Sequence, residues 1–538
     1  MTSLAVALRT RTFRSLRRHR NYRIFFTGQL VSLAGSWMQN VALAWLVIEL
    51  SGSPLAIGAL MFCRFVPFTV FGLVTGVLVD RLDIRRLVMA TQAAAMTVSI
   101  LLATVTLTGT ASLPLVYVLA ALGGVALAFD APGRQALTYQ MVGPRELPNA
   151  VALNAGLFNA SRVIGPAIAG VVIAVTGTGI CFVLNAFSFL AVLGALASMR
   201  EEELHPVERD GSARLVRGTR DAFAYAAHDP QLRLVLGAVA VVSTVGFNFH
   251  VLVPLLASDT LGVGPEGFGL LSAAFGLGAL VGALATASFR GASWRLFATG
   301  GAGFGVLSLA LAPVADAYVA GAILVAVGVC FSLFTANANA LVQLGAPDHL
   351  RGRLIGLYLF AFVGLAPAGG LLAGWLADVG GTELAFTVAG VTALGTTAVA
   401  SARRHGWLRS DPRGLCARSR VTLGRHGGGQ ERRDRSRGCQ QTLRQHRGRA
   451  GRDTRDRRGR VLLASRAERL REDDDAADDR GLRGAGRGSN RAPGDRCHVG
   501  PLEPASGEHG LPAVRPLPAH VDLRQRRVRP QGEARPTP

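Results

Sequence analysis

Arg64 and Arg162 stand inside runs of apolar residues, where a charge is costly and marks a partner, a ligand or a passage. Either guanidinium could meet a substrate carboxylate, a helix C-terminus or a buried acid, and either would also suit a purely structural pair. No acid sits in the middle of an apolar run. Glu49 lies near one end of the first, and Asp80 and Asp130 lie at ends of the second and fourth. A group that carries a proton across a barrier must titrate and change its exposure, so Asp130 and Glu49 are the candidates. His250 is a lone histidine in an apolar run and reads as structural. The amides Gln29, Gln39, Asn40, Asn154, Asn159, Asn248, Asn337 and Asn339 could face a cavity, or could simply join helices by hydrogen bonds. Together with Trp37, Trp45, Phe62, Phe158, Phe247 and Phe362 they suit a mostly apolar site for an amphipathic solute. The six cysteines are scattered without metal-ligand or redox spacing, so neither a metal nor a disulfide framework is expected.

The elements that must position these residues are membrane spans. Half of the 538 residues are hydrophobic and the mean hydropathy is +0.33, high for a soluble chain of this length. About 20 apolar residues cross roughly 30 Å of hydrocarbon. That unit recurs near 24–48, 55–79, 87–108, 113–129, 150–175, 179–198, 233–257, 266–289, 295–313, 317–340, 353–377 and 383–402. The first run follows an Arg-rich start, as in a signal peptide, but is too long and lacks a small-residue cleavage site, so it reads as a retained helix. Arginine alternates strictly with the loops. One set holds Arg9 to Arg23, Arg81, Arg85, Arg86, Arg134, Arg145, Arg200 to Arg220, Arg290, Arg351, Arg353, Arg403 and Arg404. The other set holds no Arg, but does hold Asp259, Glu266, Asp316 and Glu383. The positive-inside rule then puts both termini in the cytoplasm.

Residues 199–232, rich in charge, separate six spans from six. The halves echo each other weakly: Gly76 to Arg81 ends span two and Gly282 to Arg290 ends span eight. Gly165-Pro166 lies in span five, and Pro367 with Gly369-Gly370 lies in span eleven. Two six-helix halves about a central linker are how one large transporter class is built. The expected organisation is therefore a first bundle over 1–198, a linker over 199–232, a second bundle over 233–405 and a tail over 406–538.

The turn between spans two and three reads Gly76-Val-Leu-Val-Asp80-Arg81-Leu-Asp83-Ile-Arg85-Arg86. It closely resembles the loop signature of the major facilitator superfamily, departing at Asp83, where the pattern has Gly. A carboxylate at a helix end can pair with Arg or face the positive end of another helix, and making and breaking that contact would gate the carrier. Plain topological charge is the alternative reading. A second stretch runs Asp130-Ala-Pro-Gly-Arg134-Gln135, then Leu147-Pro-Asn149 to Asn154, then Asn159 and Arg162 to Gly165-Pro166-Ala-Ile-Ala-Gly170. It is similar to the branch that includes the enterobactin exporter and macrolide-efflux-type proteins, and Gly165, Pro166 and Gly170 are similar to the span-five motif of its antiporters. Gly lets helices approach closely and Pro permits a bend, which also serves ordinary packing. The span-four Arg of the drug-antiporter pattern is missing, with Arg134 expected beyond that helix instead.

The formal charge of +22 points at first to nucleic acid. Splitting the chain corrects this: 1–405 carry 26 Arg against 18 acids, and 406–538 carry 31 Arg against 17 acids. There is no Lys, as expected of a GC-rich genome. The tail is expected to be disordered and dispensable for transport. Back-translated with GC-rich codons and shifted by one base, Arg466 to Asp475 can read Gly-Pro-Ser-Gly-Cys-Gly-Lys-Thr-Thr, a phosphate-binding loop. Residues 508–534 shifted likewise resemble a further segment of an ABC importer ATPase. The tail therefore reads as a neighbouring ATPase gene out of frame, and with no Lys the chain itself is expected to bind no ATP.

These readings converge on an all-α, twelve-span fold in two bundles, monomeric, in a bacterial inner membrane, with no cofactor and no nucleic-acid partner. The function the resemblance implies is proton-driven export of a small amphipathic compound by alternating access. Uptake by the same fold and a non-transporting membrane sensor or assembly partner are the rivals.

Overall fold

The computed structural model describes residues 13–205, 215–288, 292–347 and 350–410, with side chains described at all of these except 73–74, 76–81, 215–219 and 405–410. The expectations for the tail beyond residue 410 fall outside these residues, as do the side-chain expectations for Asp80 and Arg81.

No strand occurs among the described residues. A short helix α1 (Arg14–Arg18) leads into α2 (Arg20–Ser51), α3 (Pro54–Arg81), α4 (Ile84–Leu107), α5 (Leu113–Thr176) and α6 (Thr178–Ala197). Then come α7 (Leu215–His228), α8 (Pro230–Val245), α9 (Phe249–Leu255), α10 (Pro265–Ser288), α11 (Trp294–Leu311), α12 (Ala317–Gly345), α13 (Arg351–Leu359) and α14 (Ala366–Ser410). Ten stretches are long and apolar enough to cross a membrane, and two of them, of 64 and 54 residues, are double. Breaks at Gly143 (φ 67°) and at Gly380-Gly381 (φ 68° at Gly381) divide those two, which yields the twelve crossings expected. A left-handed backbone is strained for any side chain with a Cβ, so glycine suits both reversals.

The ends follow from local chemistry. Asp83 accepts from the Arg86 N–H and caps α4, Asp229 accepts from Gln231 and Leu232 and caps α8, and Asp316 accepts from Val319 and caps α12. Many large apolar side chains remain uncovered, Phe187 at 65 % and Leu284 at 63 % among them, as suits a surface that meets lipid tails.

One expected boundary is corrected. Span four was expected to end at residue 129, with Arg134 in a loop beyond it. Instead α5 stays helical to its break at Gly143, because Asp130 and Arg134, four residues apart, satisfy each other along one helix face. Span seven is broken rather than continuous: α8 stops at Gly246, α9 starts after Asn248, and a π-helical turn follows over Leu256–Thr260. Span eleven carries a similar π-helical turn at Phe360–Gly364. Such irregular backbone is tolerated at membrane depth where it lines a cavity.

Helices α2–α6 pack together, as do α8–α14, and the two bundles meet along two seams, α3 with α14 and α5 with α10. The seams are built on glycine. A Cβ on Gly58 would lie 2.7 Å from the Gly370 carbonyl oxygen, and one on Gly269 would lie 2.7 Å from the Gly170 Cα. Such close approach replaces the hydrophobic drive that lipid removes. Both seams lie toward the arginine-poor ends of their helices. Nearer mid-depth, the Thr69 hydroxyl donates to the Gly364 carbonyl at 2.7 Å.

At the arginine-rich end of the first bundle, α1 is latched onto the break in α5. Glu146 takes Arg14 at 2.7 Å and Arg18 at 3.0 Å, and Ser15 bonds Asn149. The His205 N–H donates to the Gln140 carbonyl at 2.7 Å, and the His205 ring packs 6.5 Å from that of His19.

Candidate functional site

A cavity of about 850 Å³ lies between the bundles. Its walls come from α2 to α6 on one side and from α8, α9, α10, α12, α13, the π-helical turn of span eleven and the start of α14 on the other.

Both intramembrane arginines reach it. The Arg162 guanidinium carbon lies 4.5 Å from the centre of the Phe275 ring, 5.1 Å from Phe331 and 5.4 Å from Trp37. Arg162 and Trp37 belong to the first bundle and the two Phe rings to the second, so the cage spans the seam. Rings with a negative face are favourable neighbours for a desolvated cation. Of the partners left open by the sequence, neither a buried acid nor a helix C-terminus is found: among the described residues neither Arg162 nor Arg64 makes an ion pair or a side-chain hydrogen bond. Arg64 lies 6.0 Å from the Phe65 ring. His250 stacks on Trp37 at 5.8 Å, so it too lines the cavity instead of being buried in a helix contact.

Asp130 is the one acid among the described residues lining the cavity. It is fully engaged: Arg134 lies at 2.7 Å, Gln92 donates at 2.7 Å and Thr91 donates at 3.1 Å. Arg134 also donates to Gln29 at 2.9 Å, so α2, α4 and α5 are tied at this point.

The remaining predicted residues divide by location. Asn40 lines the cavity, and its carbonyl oxygen is buried with no partner. Asn159 lines it too, donating to its own helix at Ala155. Asn154 is removed from it, accepting from Tyr22 at 2.9 Å and donating to Thr138 at 3.1 Å. Asn337 is also removed: buried, it accepts from the Ser293 N–H at 3.0 Å and so holds the start of α11. Glu49 is exposed near the arginine-poor end of α2, outside the cavity walls. Gly76 sits inside α3, five residues from its end. Arg85 reaches the Leu196 and Ala197 carbonyls and Glu201, capping the negative end of α6. Arg86 is exposed, with Asp83 3.5 Å away. Gly165 packs on α2 at Trp37 and Ala34, Pro166 lines the cavity, and Gly170 meets α10 at Pro265 and Glu266.

Sequence reasoning missed Phe275 and Phe331 as the rings around Arg162, and Thr91 and Gln92 as the donors on Asp130. Nothing local marks them, since each comes from a helix distant in the chain. Glu146 carried a signal that was available: an acid among the arginines of one loop set.

Two bundles packed around a cavity holding charged and aromatic side chains define a secondary transporter of the major facilitator fold. The fold matches that of the nucleoside transporter NupG, with a TM-score of 0.57 at 11 % identity, covering 71 % of this chain and 98 % of that one. The sequence profile described as "Transmembrane secretion effector" matches residues 10–407, and the chain belongs to that family within the major facilitator superfamily. Similar proteins include the staphyloferrin A transporter of Staphylococcus aureus, 26 % identical over 385 residues, covering 70 % of this chain and 94 % of that protein. The multidrug efflux pump Tap of Mycolicibacterium fortuitum is 28 % identical over 382 residues, covering 66 % and 89 %.

Proposed function

We propose that the chain exports a small amphipathic compound across a bacterial cytoplasmic membrane, exchanging it for protons by alternating access as a monomer. The observation that carries this is the cavity between the two bundles, which holds charged and aromatic side chains beside the glycine seams. The matched relative named as a multidrug efflux pump supports export as the direction. Asp130 is the proton carrier in this reading, because it is the one carboxylate among the described residues that meets the cavity. The Gly76 to Arg86 turn would act as the inner gate. Protein partners, nucleic acid and a cofactor have no part in this cycle.

The test is accumulation of a panel of dyes, macrolides and siderophores in cells lacking their major pumps, with and without a protonophore. Expression should lower accumulation and the protonophore should abolish the effect. A reduction that survives the protonophore would refute proton coupling, and raised accumulation would reverse the direction.

A further inference from the structure

The charge of the cavity wall is unbalanced. Asp130 is already matched by Arg134 at 2.7 Å. That leaves Arg64 and Arg162 facing the same space, with His250 stacked beside them on Trp37. No described acid answers either guanidinium. While the cavity is open, water can solvate both charges. When the bundles close around it that water is lost, and two cations without a counter-charge make closure of the empty cavity costly. The rings of Trp37, Phe275 and Phe331 offset part of this for Arg162, but they carry no net charge. A guanidinium has five N–H donors, and those of Arg162 and Arg64 have no acceptor among the described residues. A bound oxyanion would supply both the acceptors and the missing charge, in the forked geometry that favours Arg over Lys. Beside them the unpartnered Asn40 oxygen accepts a hydrogen bond, which a ligand hydroxyl or amide N–H can fill.

We propose that the cargo is an organic anion, whose carboxylate-type group engages Arg162 and Arg64 while a flat apolar body lies among the cavity's aromatic rings. This rests on the transporter reading and names the substrate class of that site. Bound anion neutralises the wall and permits closure, so loaded carrier turns over more readily than empty carrier.

The test uses the full chain, purified in detergent, and three probes on one ring system: pyrenebutyrate, its neutral amide, and pyrenebutylamine. Binding is read by energy transfer from tryptophan, with folding of each variant checked by gel filtration. The acid should bind about tenfold more tightly than the amide, about 1.4 kcal/mol, with the amine weakest. R162Q and R64Q should each reduce that preference, and R162K, which keeps the charge but not the fork, should retain part of it. Equal binding of the three probes, tightest binding by the amine, or an acid preference unchanged in R162Q and R64Q would overturn the proposal. The export assay above is read separately. Charge-selective binding without export would sink the transporter reading alone, and export of cationic compounds that is indifferent to both arginines would sink the anion alone.

Discussion

At the scale of single residues, the outcome turns on which charges are answered. Asp130 and Arg134 are answered, and removing one partner of a largely buried pair is worse than removing both. D130N should therefore destabilise the protein by about 3 kcal/mol, with R134Q alone similarly damaging and the double variant D130N/R134Q partly restored. Thermal unfolding followed by tryptophan fluorescence checks this, and strictly additive losses would contradict the coupling. Asp83 tests a smaller term. Its carboxylate caps α4 by accepting from the Arg86 N–H at 3.1 Å, which accounts for the acid standing where the superfamily signature has Gly. D83A should cost about 1 kcal/mol and D83G only a few tenths, because Gly is itself a tolerable N-cap. The sequence showed both intramembrane arginines because a charge in an apolar run is visible in one dimension. Their aromatic surroundings were not visible, since Phe275 and Phe331 arrive from the opposite bundle.

At the scale of elements, the spans were legible because apolar length is a local property. The breaks were only partly so. Gly380-Gly381 fell where a loop was expected, whereas the run from Asp130 to Val142 reads polar and yet stays helical. The reason is a pair that closes on itself within one helix, which hydropathy does not register. Asn337 was misleading for a related reason: an amide in a span can face a cavity or hold a neighbouring helix, and here it holds α11. The α1 latch carries a pH prediction. Burial pushes the His19 imidazole below its ordinary value of 6.5, with Glu146 opposing and His205 and Arg18 reinforcing the effect, and Glu203 opposing. A histidine whose pKa is lowered by docking favours the docked state while neutral. As pH falls through 6.5 the undocked form takes up the proton first, so docking weakens on the acid side. The protection of amides across residues 14–19, measured against their intrinsic exchange rate at each pH, should fall between pH 7 and 5.5, and H19Q should flatten that dependence. Protection that rises toward pH 5.5 would contradict it.

At the scale of the whole molecule, the two seams fix the conformation. With spin labels in a cysteine-free background, a pair at positions 53 and 378 should report a short, narrow distance across the arginine-poor ends. A Cβ on Gly58 would come within 2.7 Å of one backbone oxygen, and a Cβ on Gly170 within 2.9 Å of another. G58L and G170L should therefore move that distribution outward and shift the population toward the opposite state. An unchanged distance in both variants would show that the seams do not hold the closure. Those seams have a consequence for what can tune the carrier. At Gly58, Gly370, Gly170 and Gly269 they are made of backbone against backbone, so screening by salt, which reaches about 8 Å at physiological ionic strength, has little to act on at these contacts. What presses Gly58 onto Gly370 and Gly170 onto Gly269 is packing against the pull of surrounding lipid. The resting balance between the two conformations should thus follow acyl-chain length and bilayer thickness, and stay almost indifferent to the ionic strength of the bathing solution.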